Sequence, residues 1–301
     1  MVRPVDFEFN TETAADNEFQ NQITGSDVGT EALKEFDAGV EILRAAGVQV
    51  MVLEKDPRLP KMPDAVFPNN WFASDSDGNL HVFPMKAENR RAETAQLHGV
   101  LHLLETNGFS CRSIIDWRQR MGENRVLEGT GSLIMDRPRK RFFASLSERT
   151  QEEACRQFAE EAGYEAILFH TRSSGGSPYY HTNVVMSIGP ELVVACLECI
   201  PDVQERQRVK EEILRFHRLV EISISQLEKG FCGNLLQVQN RQGELLTVLS
   251  QTAFDALSEI QKNEIGRSGK LLPISIPVVE KVGGGSIRCM MAEIFCPRKA
   301  G

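Results

Sequence analysis

Apolar residues recur at helical spacing in five stretches of the chain, and each stretch runs into a short β-rich segment. Residues 30–46 put Leu33, Phe36, Val40 and Leu43 on one helix face, and residues 48–53 read as the strand that follows. The same succession is predicted for 87–107 into 109–115, 147–162 into 164–170, 203–217 into 219–224, and 251–268 into 271–279. Gly47, Gly108 and Gly163 stand just past the first three helices, where glycine suits a C-terminal cap. Further strands are predicted at 80–84, 133–135, 184–188, 192–197 and 245–249. The cycles recur about every 50–60 residues, which predicts an α/β repeat array. Periodicity alone leaves its closure open, and a doubly wound sheet fits the helix count as well. No Pro/Ser-rich linker or break in composition divides the chain, so one domain over 1–301 is expected.

Composition narrows the class. The 301 residues are 41% hydrophobic, enough for a sizeable core. The apolar runs, such as 192–196, are strand-length and fall far short of the ~20 residues of a membrane helix. The first residues carry no signal-peptide stretch. Seven scattered cysteines, an odd number, read as free thiols in a reducing compartment. A cytoplasmic protein without a membrane partner is expected. The net charge of -8 argues against nucleic acid. The basic run Arg137-Pro138-Arg139-Lys140-Arg141 reads as a solvated face.

Few segments carry chemistry on their own. Ser173-Ser174-Gly175-Gly176-Ser177 and Gly283-Gly284-Gly285-Ser286 lack the marks of a phosphate loop or a dinucleotide fingerprint. The second leads into Ser286-Ile287-Arg288-Cys289, and glycine suits backbone that approaches a reacting group. His98 and His102 have zinc-like spacing, but Gly99 stands where a metalloprotease motif needs Glu, so no metal is expected. Cys196-Leu197-Glu198-Cys199 is a lone CxxC and reads as buried structural thiols. Cys289, His181 and Glu128 each sit beside a strand or a glycine-rich turn. A Cys–His pair is distant in sequence, so spacing cannot prove it.

Taken in order, these segments resemble one family. Leu127-Glu128-Gly129-Thr130-Gly131 resembles the Glu/Asp-Gly-Gly motif of arginine deiminases and dimethylarginine hydrolases. His181-Thr182-Asn183 resembles their His-x-Asp/Lys motif, and Gly283 to Cys289 their nucleophile motif. Pro63-Asp64-Ala65-Val66-Phe67-Pro68-Asn69-Asn70, Asn89-Arg90-Arg91-Ala92-Glu93 and Leu146-Ser147-Glu148-Arg149-Thr150 look like further segments of that superfamily. The chain is identified as a member of the arginine deiminase/amidinotransferase (pentein) superfamily. With Arg3-Pro4 and residues 10–20, it is most similar to the citrulline-utilisation hydrolases.

The resemblance implies a pentein α/β propeller of five ββαβ-type modules with pseudo-fivefold symmetry. It also implies roles. Cys289 attacks the central carbon of a guanidinium or ureido group, His181 serves as acid and base, and Glu128 supports His181. No cofactor is required. Asp64, Asn69, Asn70 and Asn183 are the expected substrate ligands, and Arg90 or Arg91 is expected to pair with the α-carboxylate.

The departures point to the substrate. Asn70 and Asn183 stand where arginine-using relatives usually show acid. An amide both donates and accepts, as a neutral ureido group requires, whereas a carboxylate only accepts. The expected partner is therefore a small amino acid. Citrulline comes first, cleaved to ornithine, ammonia and carbon dioxide. Arginine deiminase or dihydrolase, dimethylarginine hydrolase, amidinotransferase and a non-catalytic binding module remain as alternatives. A homo-oligomer is compatible with all of them. Residues 171–177, rich in Gly and Ser beside His181, are expected to form a lid.

Overall fold

A computed structural model describes residues 1–23 and 27–299. Its unit is a three-stranded sheet made of an antiparallel pair followed by a parallel third strand, and among the described residues this unit occurs four times. The strands are β1 Phe72–Ser74, β2 Asn79–Val82, β3 Ser113–Asp116; β4 Ile134–Asp136, β5 Arg141–Ser145, β6 Glu165–Phe169; β7 Met186–Ile188, β8 Leu192–Ala195, β9 Arg218–Glu221; and β10 Leu236–Gln239, β11 Leu245–Ser250, β12 Lys270–Ile274. Within each set the first two strands pair antiparallel and the third pairs parallel to the second. A parallel pair needs a crossover, and helical residues fill it every time.

Each helix packs its apolar stripe on a sheet. Val100 and Leu104 of Leu97–Thr106 meet Leu80 and Val82 of β2. Phe158 of Glu152–Ala162 joins Phe142 and Ala144 of β5. Val209 and Ile213 of Val203–Leu214 lie with Val193 and Ala195 of β8. Phe36, Val40 and Leu43 of Val28–Ala45 are buried with Val248 of β11 and Ile274 of β12. The i, i+4, i+7 spacing in the sequence is thus the stripe that reaches the core.

Gly47, Gly108 and Gly163 follow their helices at φ of +85°, +78° and +70°, as expected of caps. Other expectations need correction. Residues 48–53 do not form a strand beyond one parallel bridge between Leu53 and Val2, so the fifth unit has a helix but no sheet. Residues 251–268 split into Gln251–Ala256 and Glu259–Gly266, because Ser258 and Gln261 form a capping box that starts a new helix. The stretches 219–224 and 271–279 give way to helices Ile224–Gly230 and Pro277–Gly283, opened by the Ser223–Gln226 box and by a proline in the first turn. Strands β1, β5 and β10 were not expected from the pattern. Among the described residues no helix is long and apolar enough to cross a membrane.

Candidate active site

A short turn, helical in the first three units and a plain hydrogen-bonded turn in the fourth, comes just before the first strand of each unit, and these turns bring the reactive residues together. Pro68–Asn70 precedes β1, Gly129–Ser132 precedes β4, Thr182–Val185 precedes β7, and the turn at 231–234 precedes β10. A fifth turn, Ile287–Met290, carries Cys289. Glu128 and His181 sit directly before the second and third turns, as their N-caps.

These residues meet at a narrow cavity lined by Asp64, Asn70, Arg90, Arg149, His181 and Cys289. Thr13, Asn17 and Tyr180 complete one wall.

His181 and Glu128 form the central pair, with Nε2 2.7 Å from Glu128 Oε2 and both side chains buried. The other carboxylate oxygen of Glu128 accepts the backbone N–H of Lys86 at 2.9 Å. Burial pushes the Glu128 carboxyl up, but Arg149, the His181 bond and Arg90 outweigh it and hold the group at about 2. Glu128 is therefore a carboxylate at neutral pH. Burial lowers the pKa of His181, with Glu128 opposing. The ring is then neutral, donates Nε2–H to Glu128 and leaves Nδ1 with a lone pair. Gly131 permits this packing: a Cβ there would lie 3.0 Å from the His181 ring and closer still to Asn70 Nδ2.

Cys289 Sγ is buried and faces two carboxamides, with Asn183 Nδ2 at 3.2 Å and Asn234 Nδ2 at 3.3 Å. Asn183 thus lies under the sulfur and not on the cavity wall. Asn69 also stands behind the nucleophile. With both ends of its amide satisfied, it donates to Cys289 O at 2.6 Å and accepts from Arg288 Nη1 at 2.9 Å.

Asn70 and Asp64 keep atoms free. Asn70 Oδ1 accepts from Arg90 Nη1 at 2.9 Å. Asp64 Oδ2 accepts from Asn10 Nδ2 and Thr13 Oγ1, each at 2.8 Å. Among the described residues, Asn70 Nδ2 and Asp64 Oδ1 are buried with no hydrogen-bond partner. Buried polar atoms are rarely left so, and both groups line the cavity.

The two candidate arginines separate. Arg90 is buried on the cavity wall, forked onto Glu93 at 2.8 and 3.0 Å. Arg91 is exposed and donates to the carbonyls of Met85 and Lys86, away from the cavity. Arg149, from the Leu146–Thr150 segment, lies on the wall beside Tyr180. Asn234 was not anticipated. It precedes β10 as the other site residues precede their strands, and that repeat is the signal that could have found it. None of residues 171–177 lines the cavity. Ser174 is bonded to Glu228. His98 and His102 share the helix Leu97–Thr106, and no cluster of three metal-ligating side chains occurs among the described residues.

The fold is that of the pentein superfamily. A family profile described as N,N-dimethylarginine dimethylhydrolase, eukaryotic, matches residues 3–296, and the chain belongs to that family. Among solved structures it is similar to ArgZ, an arginine dihydrolase from the ornithine–ammonia cycle in cyanobacteria, with a TM-score of 0.71 and 14% identity over 98% of this chain. The chain spans 40% of the length of that protein. It is also similar to the separate N-terminal domain of ArgZ bound to substrate (TM-score 0.70, 14% identity, 98% of both chains). A third similar structure is the Pseudomonas aeruginosa enzyme DDAH complexed with citrulline (TM-score 0.63, 16% identity, 96% of this chain and 95% of that one). A comparison with curated protein sequences gave no match.

Proposed function

We propose that the protein is a cysteine-dependent hydrolase of a ureido amino acid, citrulline first, releasing ornithine, ammonia and carbon dioxide. The observation that carries this reading is the free amide donor of Asn70. Arg90 can only donate, so it fixes Asn70 Oδ1 toward itself and leaves Nδ2 to the ligand. A guanidinium offers N–H donors on every side and has nothing for Nδ2 to donate to. A ureido group has a carbonyl oxygen, and its N–H groups suit Asp64 Oδ1.

The chemistry balances on the residues at hand. The Cys289 thiol gives its proton to His181 Nδ1, and the sulfur attacks the ureido carbon. His181 returns the proton to the terminal nitrogen, which leaves as ammonia and yields an S-carbamoyl (thiocarbamate) intermediate on Cys289. His181 then takes a proton from water, whose oxygen displaces the sulfur, and the resulting carbamate releases carbon dioxide and ornithine. Glu128 holds the ring and supports its charge. Arg149 and Arg90 are the cations available to the α-carboxylate.

A second reading has one observation behind it. Asp64 Oδ1 is a free buried anionic acceptor, which suits a guanidinium. Arginine would then be cleaved to citrulline and onward by the same residues. The five one-turn segments support a five-module propeller in which 48–53 and Val2 stand for the fifth sheet, over a single domain.

The test is ammonia and ornithine release from citrulline, arginine and dimethylarginine, with wild type and Cys289→Ala. Citrulline turnover by the wild type alone supports the reading. Consumption of a guanidino compound without citrulline overturns the substrate, and no turnover of any of the three overturns the activity.

A further inference from the structure

Asn234 occupies a place in the site that the reaction above does not use. Its turn follows the helix Ile224–Gly230 and is closed by Asn234 N donating to Phe231 O at 2.8 Å. The turn lies directly on the one that carries Asn183. A Cβ on Gly233 would stand 2.8 Å from the carbonyl carbon of Val185 and closer still to Val184 O, so only glycine allows this approach. Asn234 itself is fully buried.

Its amide has one orientation. Nδ2 donates to the backbone carbonyl of Asn183 at 2.8 Å, and a carbonyl can only accept. The second Nδ2 hydrogen is then available to Cys289 Sγ at 3.3 Å, beside the Asn183 Nδ2 donor at 3.2 Å. Oδ1 stands farther from the sulfur, at 3.7 Å. Two amide donors from consecutive units thus converge on one sulfur. Hydrogen bonds donated to an anion favour the anionic form, and donors held by a rigid backbone need no reorganisation as the charge develops.

We propose that Asn234 is a catalytic residue of the Cys289 site, whose side-chain N–H stabilises the anionic sulfur while its bond to Asn183 O fixes the turn that follows His181. The proposal rests on Cys289 being the nucleophile and deepens the hydrolase reading. It does not depend on which amino acid is the substrate. Asn234→Asp keeps the shape and removes both donors, turning a carboxylate toward the sulfur and toward Asn183 O. Asn234→Ser keeps a polar group in the space and removes the amide.

The experiment follows iodoacetamide alkylation of Cys289 by peptide mass spectrometry across pH, alongside steady-state kinetics and thermal melts. The expected result for Asn234→Asp is a displacement of the Cys289 alkylation profile toward higher pH, with about tenfold slower labelling at neutral pH for each unit of displacement. The kcat should fall by about 10² with KM changed far less. Should Asn234→Asp fail to fold, folded Asn234→Ser carries the same readouts. An alkylation profile that coincides with wild type in a folded variant overturns the proposal, as does a loss confined to KM. Alkylation needs no substrate. A failure to turn over citrulline, arginine and dimethylarginine alike would therefore sink the hydrolase reading and leave this test standing.

Discussion

Arg149 and Asp16, 133 positions apart in the chain, form an ion pair at the cavity wall, with Arg149 Nε 3.1 Å from both carboxylate oxygens. The pair pins the N-terminal segment over the site. Lys86 Nζ holds the same carboxylate at 2.7 Å, Asn17 Nδ2 donates to Gly284 O at 3.2 Å, and Thr13 and Asn10 are tied to Asp64. Burial pushes the Asp16 carboxyl up, while Arg149 and Lys86 bring it below its ordinary range, so the clamp is charged at neutral pH.

The N-terminal segment covers the cavity, whereas none of 171–177 lines it, so loosening the segment is predicted to open the site. Asp16→Ala should increase labelling of Cys289 by a bulky maleimide several-fold and raise KM more than it lowers kcat. High salt should move the wild type in the same direction, because part of the clamp is solvent-exposed. Labelling and KM equal to wild type would mean that the segment does not gate the site.

Glu128 makes a prediction with two limbs. Its charge opposes the downward shift that burial imposes on His181, so Glu128→Gln should lower the His181 pKa further. The acid limb of the kcat/KM profile should move to lower pH while kcat falls by about 10²–10³.

Stability follows from the same carboxylate. Its folded value of about 2 lies below the ordinary 4.5, so its contribution is fully present above 4.5 and is lost as pH falls through 2. The loss is on the order of 3 kcal/mol. His181 has its folded value lowered too, so the folded state binds fewer protons there, and stability already begins to fall below about 6.5. Urea midpoints at pH 7, 4.5 and 2.5 should show this decline in wild type, whereas Glu128→Gln should lose the carboxylate's share below pH 4.5 and keep a fall below about 6.5 at least as steep, set by His181. Parallel curves would contradict the assignment.

Asn70→Asp removes the free donor and adds a carboxylate beside Arg90. The kcat/KM for citrulline should fall by about 10², because a buried acceptor would then face the ureido oxygen. The ratio of arginine to citrulline activity should rise. A ratio unmoved by the substitution would detach Asn70 from substrate choice.

The helices and their capping glycines were legible because 3.6-residue periodicity is local, as Phe36, Val40 and Leu43 illustrate. The strands were less legible. β1 has only three residues, too few for a pattern to develop. Residues 48–53 have strand composition and pair through Leu53 alone, since pairing is decided by a partner and not by propensity. In the site, motifs brought Cys289, His181 and Glu128 to notice. They gave no means of distinguishing Arg90 from Arg91, because adjacent helical residues point to different sides. Arg149 and Asn234 reach the site through packing between units; only the recurrence of a site residue before each first strand pointed to Asn234, and it could not be read because β10 itself was not expected.

The cavity wall joins distant parts of the chain. Asn17 and Gly284, which meet across it, are 267 positions apart. Loops of that span close slowly and late, whereas each three-stranded unit is built from near neighbours. Hydrolysis should therefore be the last property to appear during refolding, after helical signal and core fluorescence have recovered. It should also be the first property lost to a nick that frees either edge of this seam, so that turnover reports on closure of the seam more sharply than a spectroscopic probe of the separate units.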